Sequence, residues 1–349
     1  MEKTQSKKVT YIIKPEDGAQ GDGIFMCQSV RDFEIKLCTK RSFGAVAQRY
    51  IARPLLLNGF KFDMRVYVLF AGGRSEAVPG SPPSVFLCRE GLARFCTERY
   101  VEPSSDNLHK CMGHLTNYSL NKRSEHFVHS SDTMEGIMDP RSPASKRPLS
   151  AVLRQMETEY PGFKAQDFYD SLAAMVEPCA AVMAAALADT HRGLAKELGP
   201  SDEMRSFQIL GFDVMLDRNF QPYLLEVNNS PSLNIDEILP MEEGDTEKPC
   251  LCMEMSGPHR HQTSLVDEFV KRTAMAGAFR ILEQINEGVE EPEDDAYIPV
   301  DAEGDLWNMV CRLQALYRTC GGAQKAFTSS AMRRHLAPLA GHGRLEKHD

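Results

Sequence analysis

The chain has 349 residues, 42% of them apolar and 26% charged, a balance that suits one large or two moderate cores and argues against disorder, collagen and coiled coil. Lys and Arg number 40 against 49 Asp and Glu, so the net charge is −9, the reverse of the basic footprint that a dedicated nucleic-acid binder needs. The deficit is uneven: from residue 241 onward there are 12 basic and 19 acidic side chains, and the first 240 residues are nearly neutral.

Ten cysteines are scattered singly, apart from Cys250 and Cys252, and no CxxC pair recurs. Free thiols in a reducing cytosol fit better than a zinc ribbon or a disulfide framework. The opening MEKTQSKKVTYIIK lacks the apolar stretch of a signal peptide. The most apolar helical run, Ser171–Asp189, is interrupted by Glu177 and Pro178, which suits a buried helix and not a membrane span.

Taken in order, Val9–Ile13 is a strand, followed by the glycine-rich turn PEDGAQGDG, and Val46–Ile51 is another short strand. Phe60–Phe70 has the clearest period of two. Phe60, Phe62, Met64, Val66, Val68 and Phe70 share one face, and Lys61, Asp63 and Arg65 stand in a row on the other. Ser84–Arg89 reads as a further strand. Residues 103–149 are polar, with Ser130–Pro148 expected as a mobile loop. Helices are expected at Ser150–Glu159 and Ala165–Leu198, then strands Phe207–Leu216 and Pro222–Val227 joined by a hairpin. Pro240–Gln262 reads as a loop. Ser264–Leu282 reads as a helix opened by the capping pattern Ser264-x-x-Asp267, and Glu287–Asp295 as an acidic linker. Leu306, Val310, Leu313 and Tyr317 share one face of a last helix.

Three clusters can carry chemistry. Lys14 is followed by Gly18, Gln20, Gly21 and Gly23, a lysine and a pliable backbone suited to phosphates, although plain turns of this spacing are common. The face Lys61–Asp63–Arg65 is either a solvated edge or a placed set of charges. In FQILGFDVMLDRNFQPYLLEVNNSPS, Asp213 interrupts an apolar strand and falls nearly opposite Glu226 if the hairpin pairs, with Asn228 on the face of Glu226. Two carboxylates and an amide oxygen are suitable hard ligands for Mg²⁺, and a cation relieves their burial and repulsion. Lysine loop, charged strand and late carboxylate hairpin, in that order, resemble the plan of an ATP-grasp enzyme.

YIIKPEDGAQGDGIF, AQRYIARPLLLNGFKFDMRVYVLF, HLTNYSLNK (His114–Lys122) and the Asp213 hairpin closely resemble the tubulin tyrosine ligase-like family from about Val9 to Arg280. The resemblance is greatest to the polyglutamylases, and VDEFVKRTAMAGAFRIL is similar to their type-11 branch. It implies an α+β ATP-grasp fold with mostly antiparallel sheets and flanking helices. About a dozen residues precede YIIKP, so most of the family's N-terminal domain is expected to be absent. The implied organisation is a catalytic core over 1–285, an acidic linker over 286–304 and a helix and tail over 305–349. The implied activity is ATP- and Mg²⁺-dependent addition of free glutamate to glutamate side chains of tubulin tails. Glycine or tyrosine ligation, and a truncated chain that only binds nucleotide or microtubules, are the alternatives. Tubulin or microtubules are the implied partners, without nucleic acid or membrane, in the cytoplasm and cytoskeleton, including a cilium, flagellum or basal body.

The resemblance also implies roles. Lys14, Gln20 and Gly21 would meet the phosphates, and Gln48, Arg49, Tyr50 and Ile51 the adenine. Lys61 and Asp63 would face the nucleotide, and Thr116 and Asn117 would complete its site. Asp213, Glu226 and Asn228 would hold Mg²⁺. Arg65 and Arg94 would receive carboxylates, Arg94 that of the incoming amino acid, with Tyr118, Ser119 and Lys122 lining the same pocket and Lys146 and Arg147 as weaker candidates.

Overall fold

A computed structural model describes residues 8–16, 21, 23–37, 44–72, 84–198, 207–241, 250 and 258–300, with backbone alone at 184–198 and 240. In chain order the elements are β1 (Tyr11–Pro15), β2 (Phe25–Cys27), α1 (Val30–Leu37), β3 (Ala45–Arg49), β4 (Leu56–Leu57), β5 (Phe60–Ala71) and β6 (Ser84–Phe95). They continue with α2 (Tyr118–Asn121), α3 (Met134–Ile137), β7 (Lys146–Pro148), α4 (Leu149–Glu159), α5 (Ala165–Leu198), β8 (Phe207–Leu216) and β9 (Pro222–Asn228). The last are β10 (Asp236–Pro240), β11 (His259–Thr263), α6 (Leu265–Asn286) and β12 (Tyr297–Val300).

The strands form a three-stranded sheet β2-β1-β3, a two-stranded sheet β10-β11, and a seven-stranded sheet ordered β12-β6-β5-β8-β9, to which β4 and β7 add beside β5 and β6. The chain divides into two compact units, one of Met1–Leu69, Phe86–Met175 and Gln208–Ile298, the other of Phe70–Val85, Val176–Phe207 and Pro299–Asp349. Everything that positions the site lies in the first.

The period of two in β5 is realised, with Phe62, Met64, Val66 and Val68 at most 1% exposed. Phe62 stacks on Phe95 of β6 at 5.2 Å. The opposite face is not a solvated edge. Its first half carries Lys61, Asp63 and Arg65, with Lys61 and Asp63 buried. Its second half, Tyr67 and Leu69, joins a core with Val266, Val270, Ala274, Ala278 and Ile281 of α6. That helix presents its apolar stripe at helical spacing, and its N-terminus is capped by Ser264, whose hydroxyl accepts the Asp267 N–H. The Asp267 side chain does not complete a capping box; it pairs with Lys146 and Lys271. One strand face thus changes from charged to apolar where the helix covers it.

Several expected boundaries shift. The sixth strand runs on to Phe95 because Arg94 and its neighbours pair with β7. Ser130–Pro148 is not simply a mobile loop: it holds α3 and β7, and Ile137, Ala144, Ser145, Lys146 and Arg147 are buried. The stretch read as a loop from Pro240 contains most of β11, since His259–Thr263 registers against Asp236–Pro240. Within the segment read as an acidic linker, Asp294 pairs with Arg280, and Tyr297 is buried with its hydroxyl donating to the Ala274 carbonyl at 2.9 Å. The expected helix around Leu306 and Tyr317 lies outside the described residues.

Gly91 on β6 shows how closely the central strands approach: a Cβ there would meet the Arg65 carbonyl oxygen at 2.5 Å. Backbone cannot yield as a side-chain tip can, so Gly91→Ala should cost about 1–3 kcal/mol. A matching fall in the urea midpoint checks this.

Candidate functional site

Lys14 alternates with Ile12 on β1, so both face the same way, into one cleft. The same cleft is lined by Ile24, Gln48, Arg49, Tyr50, Ile51, Lys61, Asp63 and Arg94, and by His114, Leu115, Thr116 and Asn117. Asp213, Met215, Leu225 and Glu226 complete it. Gly21 has φ +87°, and a Cβ on it would come within 3.1 Å of Asn117 Cγ and 2.9 Å of Leu120 Cδ1. Glycine is required there both for the left-handed backbone and for the close approach to the HLTN segment. Gly18 and Gln20 lie outside the described residues.

The floor is built by adjacent strands. Arg94 comes from β6, Asp63 and Arg65 from β5, Asp213 from β8 and Glu226 from β9, in the order β6-β5-β8-β9. The Arg94 guanidinium donates to Asp63 at 2.8 and 2.7 Å and to Asp213 at 2.8 Å. Arg65 binds Asp213 through two nitrogens, one of them at 2.9 Å. The Thr116 hydroxyl donates to Asp63 at 2.6 Å. Charge-assisted bonds of this kind are the strong ones.

Burial would raise the Asp213 carboxyl, but the Arg65 hydrogen bonds and the Arg94 charge outweigh it and hold the group down to about 2. Burial would likewise strip Arg94 of its proton, yet Asp63 and Asp213 push it above the ordinary guanidinium range. Lys61 donates to the Tyr50 hydroxyl at 3.1 Å and to the His114 carbonyl at 2.6 Å. Burial lowers its ammonium from the ordinary range. Burial and the Lys61 charge push the His114 imidazole down to about 4, so it is neutral at pH 7. The Tyr50 hydroxyl and His114 Nδ1 share a hydrogen bond at 3.0 Å.

The β8–β9 hairpin brings Asp213 opposite Glu226, as expected, but through a bulge. Continuing the register Leu216↔Pro222 would set Asp213 against Leu225; instead Val214 pairs with Leu224 and Asp213 with Glu226. The extra residue lets the consecutive Leu225 and Glu226 both line the cleft. Glu226 is exposed, and its Oε1 accepts from the Asn228 amide at 3.2 Å.

The expected Mg²⁺ set is altered by these contacts. Three of the roughly four acceptor positions of the Asp213 carboxylate are used by arginine N–H groups. Its remaining lone pair, the Glu226 carboxylate and the Asn228 amide oxygen still form an all-oxygen donor set, which fits a hard cation. Asn228 does not line the cleft itself. Arg65, expected to receive a ligand carboxylate, binds the protein's own Asp213 and is likewise not in the lining.

Tyr118, Ser119 and Lys122 belong to a neighbouring cluster, with Ser119 on α2. Lys146 Nζ sits 4.4 Å over the Tyr118 ring and Lys122 Nζ 5.5 Å over it. Lys146 pairs with Asp267, which also pairs with Lys271 at 2.9 Å. Arg147 points elsewhere, donating to Gln155 and to the Pro140 carbonyl. Among the described residues, sequence reasoning missed His114, Asp267 and Lys271 as participants. His114 opens the quoted HLTN segment, Asp267 was legible only as part of a helix cap, and Lys271 was not singled out.

An α+β chain with this antiparallel sheet, its row of buried acids and bases and a lysine-bearing second sheet has the ATP-grasp architecture. The tubulin-tyrosine ligase family matches residues 1–241, and the chain belongs to that family. It is 33% identical over 300 residues to the human tubulin polyglutamylase TTLL11, covering 86% of this chain and 38% of the relative. It is 38% identical over 232 residues to the tubulin polyglutamylase ttll-11 of Caenorhabditis elegans, 66% of this chain and 30% of the relative. Similarity to the mouse tubulin polyglutamylase TTLL6 is 38% over 245 residues, 69% of this chain and 26% of the relative. The chain therefore spans well under half the length of each. The family resemblance read from the four motifs is borne out. Among the described residues no helix is long and apolar enough to cross a membrane.

Asp213→Asn would leave Arg65 and Arg94 without their shared anion, so wild type should exceed the variant by about 3 kcal/mol or more at neutral pH. The folded carboxyl lies below its unfolded value, so its stabilisation is present above pH ~4 and is lost as pH falls toward about 2. About 2 kcal/mol of the difference should vanish over that window. Unfolding free energies of both proteins across the window test it.

Proposed function

We propose that this chain is an ATP- and Mg²⁺-dependent ligase that adds glutamate to glutamate side chains of the acidic tails of tubulin. The observation that carries the reading is the row of one arginine and three carboxylates, Arg94, Asp63, Asp213 and Glu226, on the floor of a cleft shared with Lys14. The relatives' names, tubulin polyglutamylase, support the acceptor and the amino acid.

The acceptor carboxylate attacks the γ-phosphorus of ATP, ADP departs, and the α-amine of glutamate then displaces phosphate from the acylphosphate with loss of a proton. Mg²⁺, when bound, spreads the charge of the phosphates and of the transferring group. Glu226, Asn228 and the last lone pair of Asp213 would hold it. Lys14 and the backbone of Gly21 would face the phosphates, a task of charge and position and not of covalent catalysis. Ile12, Ile24, Met215 and Leu225 offer apolar walls for a purine, and the backbone of Gln48–Ile51 offers its polar edge partners. Thr116 orients Asp63, and Asp63 with Asp213 holds Arg94 charged and fixed toward an incoming carboxylate. In the neighbouring cluster, Lys122, beside Tyr118 and Ser119, would supply the cation that favours glutamate over glycine or tyrosine. The net charge of −9 opposes an acidic tail, so the attraction must come from local cations at the cleft such as Lys14 and Arg49.

Purified chain, Mg-ATP and microtubules should yield a ladder of tubulin masses spaced by glutamate residues when glutamate is supplied, and none with glycine or tyrosine. Lys14→Ala and Glu226→Gln should each slow the reaction about 100-fold or more. Wild-type rates in both variants would overturn the residue roles, and no added mass with any amino acid would overturn the ligase reading for this chain.

A further inference from the structure

Away from the nucleotide cleft, three metal-ligating side chains meet on the β10–β11 hairpin. His259 and His261 are two apart on β11 and so project from the same face of the strand. Cys250 lies directly opposite His259 in an antiparallel bridge, its N–H donating to the His259 carbonyl at 2.7 Å. The backbone alone thus brings the thiol and the two imidazoles together. The Cys250 sulfur and one ring nitrogen from each histidine all lie within 4.8 Å of one another. Around a tetrahedral ion with bonds of about 2.3 Å to sulfur and about 2.0 Å to nitrogen, ligand atoms stand about 3.5 Å apart.

Two further features suit a metal better than a packed histidine pair. Asp236, on the strand beside β11, places Oδ2 3.1 Å from His261 Nδ1. A carboxylate hydrogen-bonded to one imidazole nitrogen fixes the tautomer and leaves the other nitrogen available to an ion. His259, by contrast, is 1% exposed, so one wall of the site is dry. One thiolate and two imidazoles form a nitrogen–sulfur set, which selects Zn²⁺ and rejects Mg²⁺ or Ca²⁺. This separates it chemically from the all-oxygen donors of the β8–β9 hairpin.

We propose that Cys250, His259 and His261 bind a zinc ion, supplying three of its four tetrahedral positions, with Asp236 orienting His261. The ion would staple the hairpin that runs straight into the cap of α6. Ser264 there donates its N–H to the Ile235 carbonyl at 2.7 Å, and Glu237 on β10 meets His129 at 2.9 Å. The role is structural and independent of the ligase reading.

The test uses the full chain, stripped with a chelator and titrated with Zn²⁺ against a chromophoric competitor, with Co²⁺ as the spectroscopic probe. About one equivalent of Zn²⁺ should bind, and Co²⁺ should show thiolate charge-transfer absorption and tetrahedral d–d bands. Cys250→Ser should remove the charge-transfer band. His261→Ala should weaken Zn²⁺ binding more than tenfold, and Asp236→Asn by about tenfold. Cys111→Ser, a thiol remote from the hairpin in sequence, should bind as wild type does. Circular dichroism establishes that each variant is folded. Failure of the wild-type chain to take up one equivalent would overturn the site, as would wild-type affinity in both folded Cys250→Ser and folded His261→Ala.

Discussion

The Arg94 guanidinium, held between the carboxylates of Asp63 and Asp213, is the constraint around which the central sheet is arranged. Both acids are 3% exposed, and an ion taken out of water costs several kcal/mol unless it is paired and hydrogen-bonded. Arg65 supplies the second positive charge, on the other side of Asp213. Two cations and two anions therefore balance within three neighbouring strands, and they do so only if β6, β5 and β8 lie side by side in that order. An apolar replacement of the set could fold as well, because buried ion pairs seldom add net stability. Their value here is positional: they leave Arg94 charged, immobile and open to the cleft.

The same economy of placement recurs in the fifth strand. Residues of one parity form the central core throughout its length. Those of the other parity carry the site where the strand borders the cleft, and pack under α6 further on. The helix in turn contributes Asp267 and Lys271 on the edge of its buried stripe, so that Lys146 is neutralised without reaching solvent. Burial opposes the Asp267 carboxylate, but the two lysines hold it below its usual range. Core and site are not separate regions joined by loops; they are successive stretches of the same elements.

A pattern of fixed period survives translation from sequence to structure well. The strands at Phe60 and Phe207, the helix over Ala165–Leu198 and the hairpin after Leu216 all follow from periodicity and turn residues. Asp63, Asp213 and Glu226, carried by those elements, share one cleft with Lys14, Arg94 and Thr116. Illegible were the features made by contact across the chain. The strand Lys146–Pro148 has three residues and no periodicity, and it exists because β6 offers it a partner. The β11 strand HRHQT is polar and reads as loop, yet it pairs in full with β10.

Local order in the sequence determined that this protein has a charged strand face, a glycine-rich turn after a lysine and two late carboxylates near one hairpin, because side-chain parity and turn chemistry act within a few residues. Tertiary structure decided what those charges do. Lys61 spends its protons on Tyr50 and the His114 carbonyl, Arg65 turns inward to Asp213, and a single bulged residue moves Glu226 into register with Asp213 in place of Leu225. Each of those outcomes depends on which strand lies alongside and how much water it displaces. Pairing and desolvation energies belong to neighbours far apart in the chain, and no local pattern encodes them.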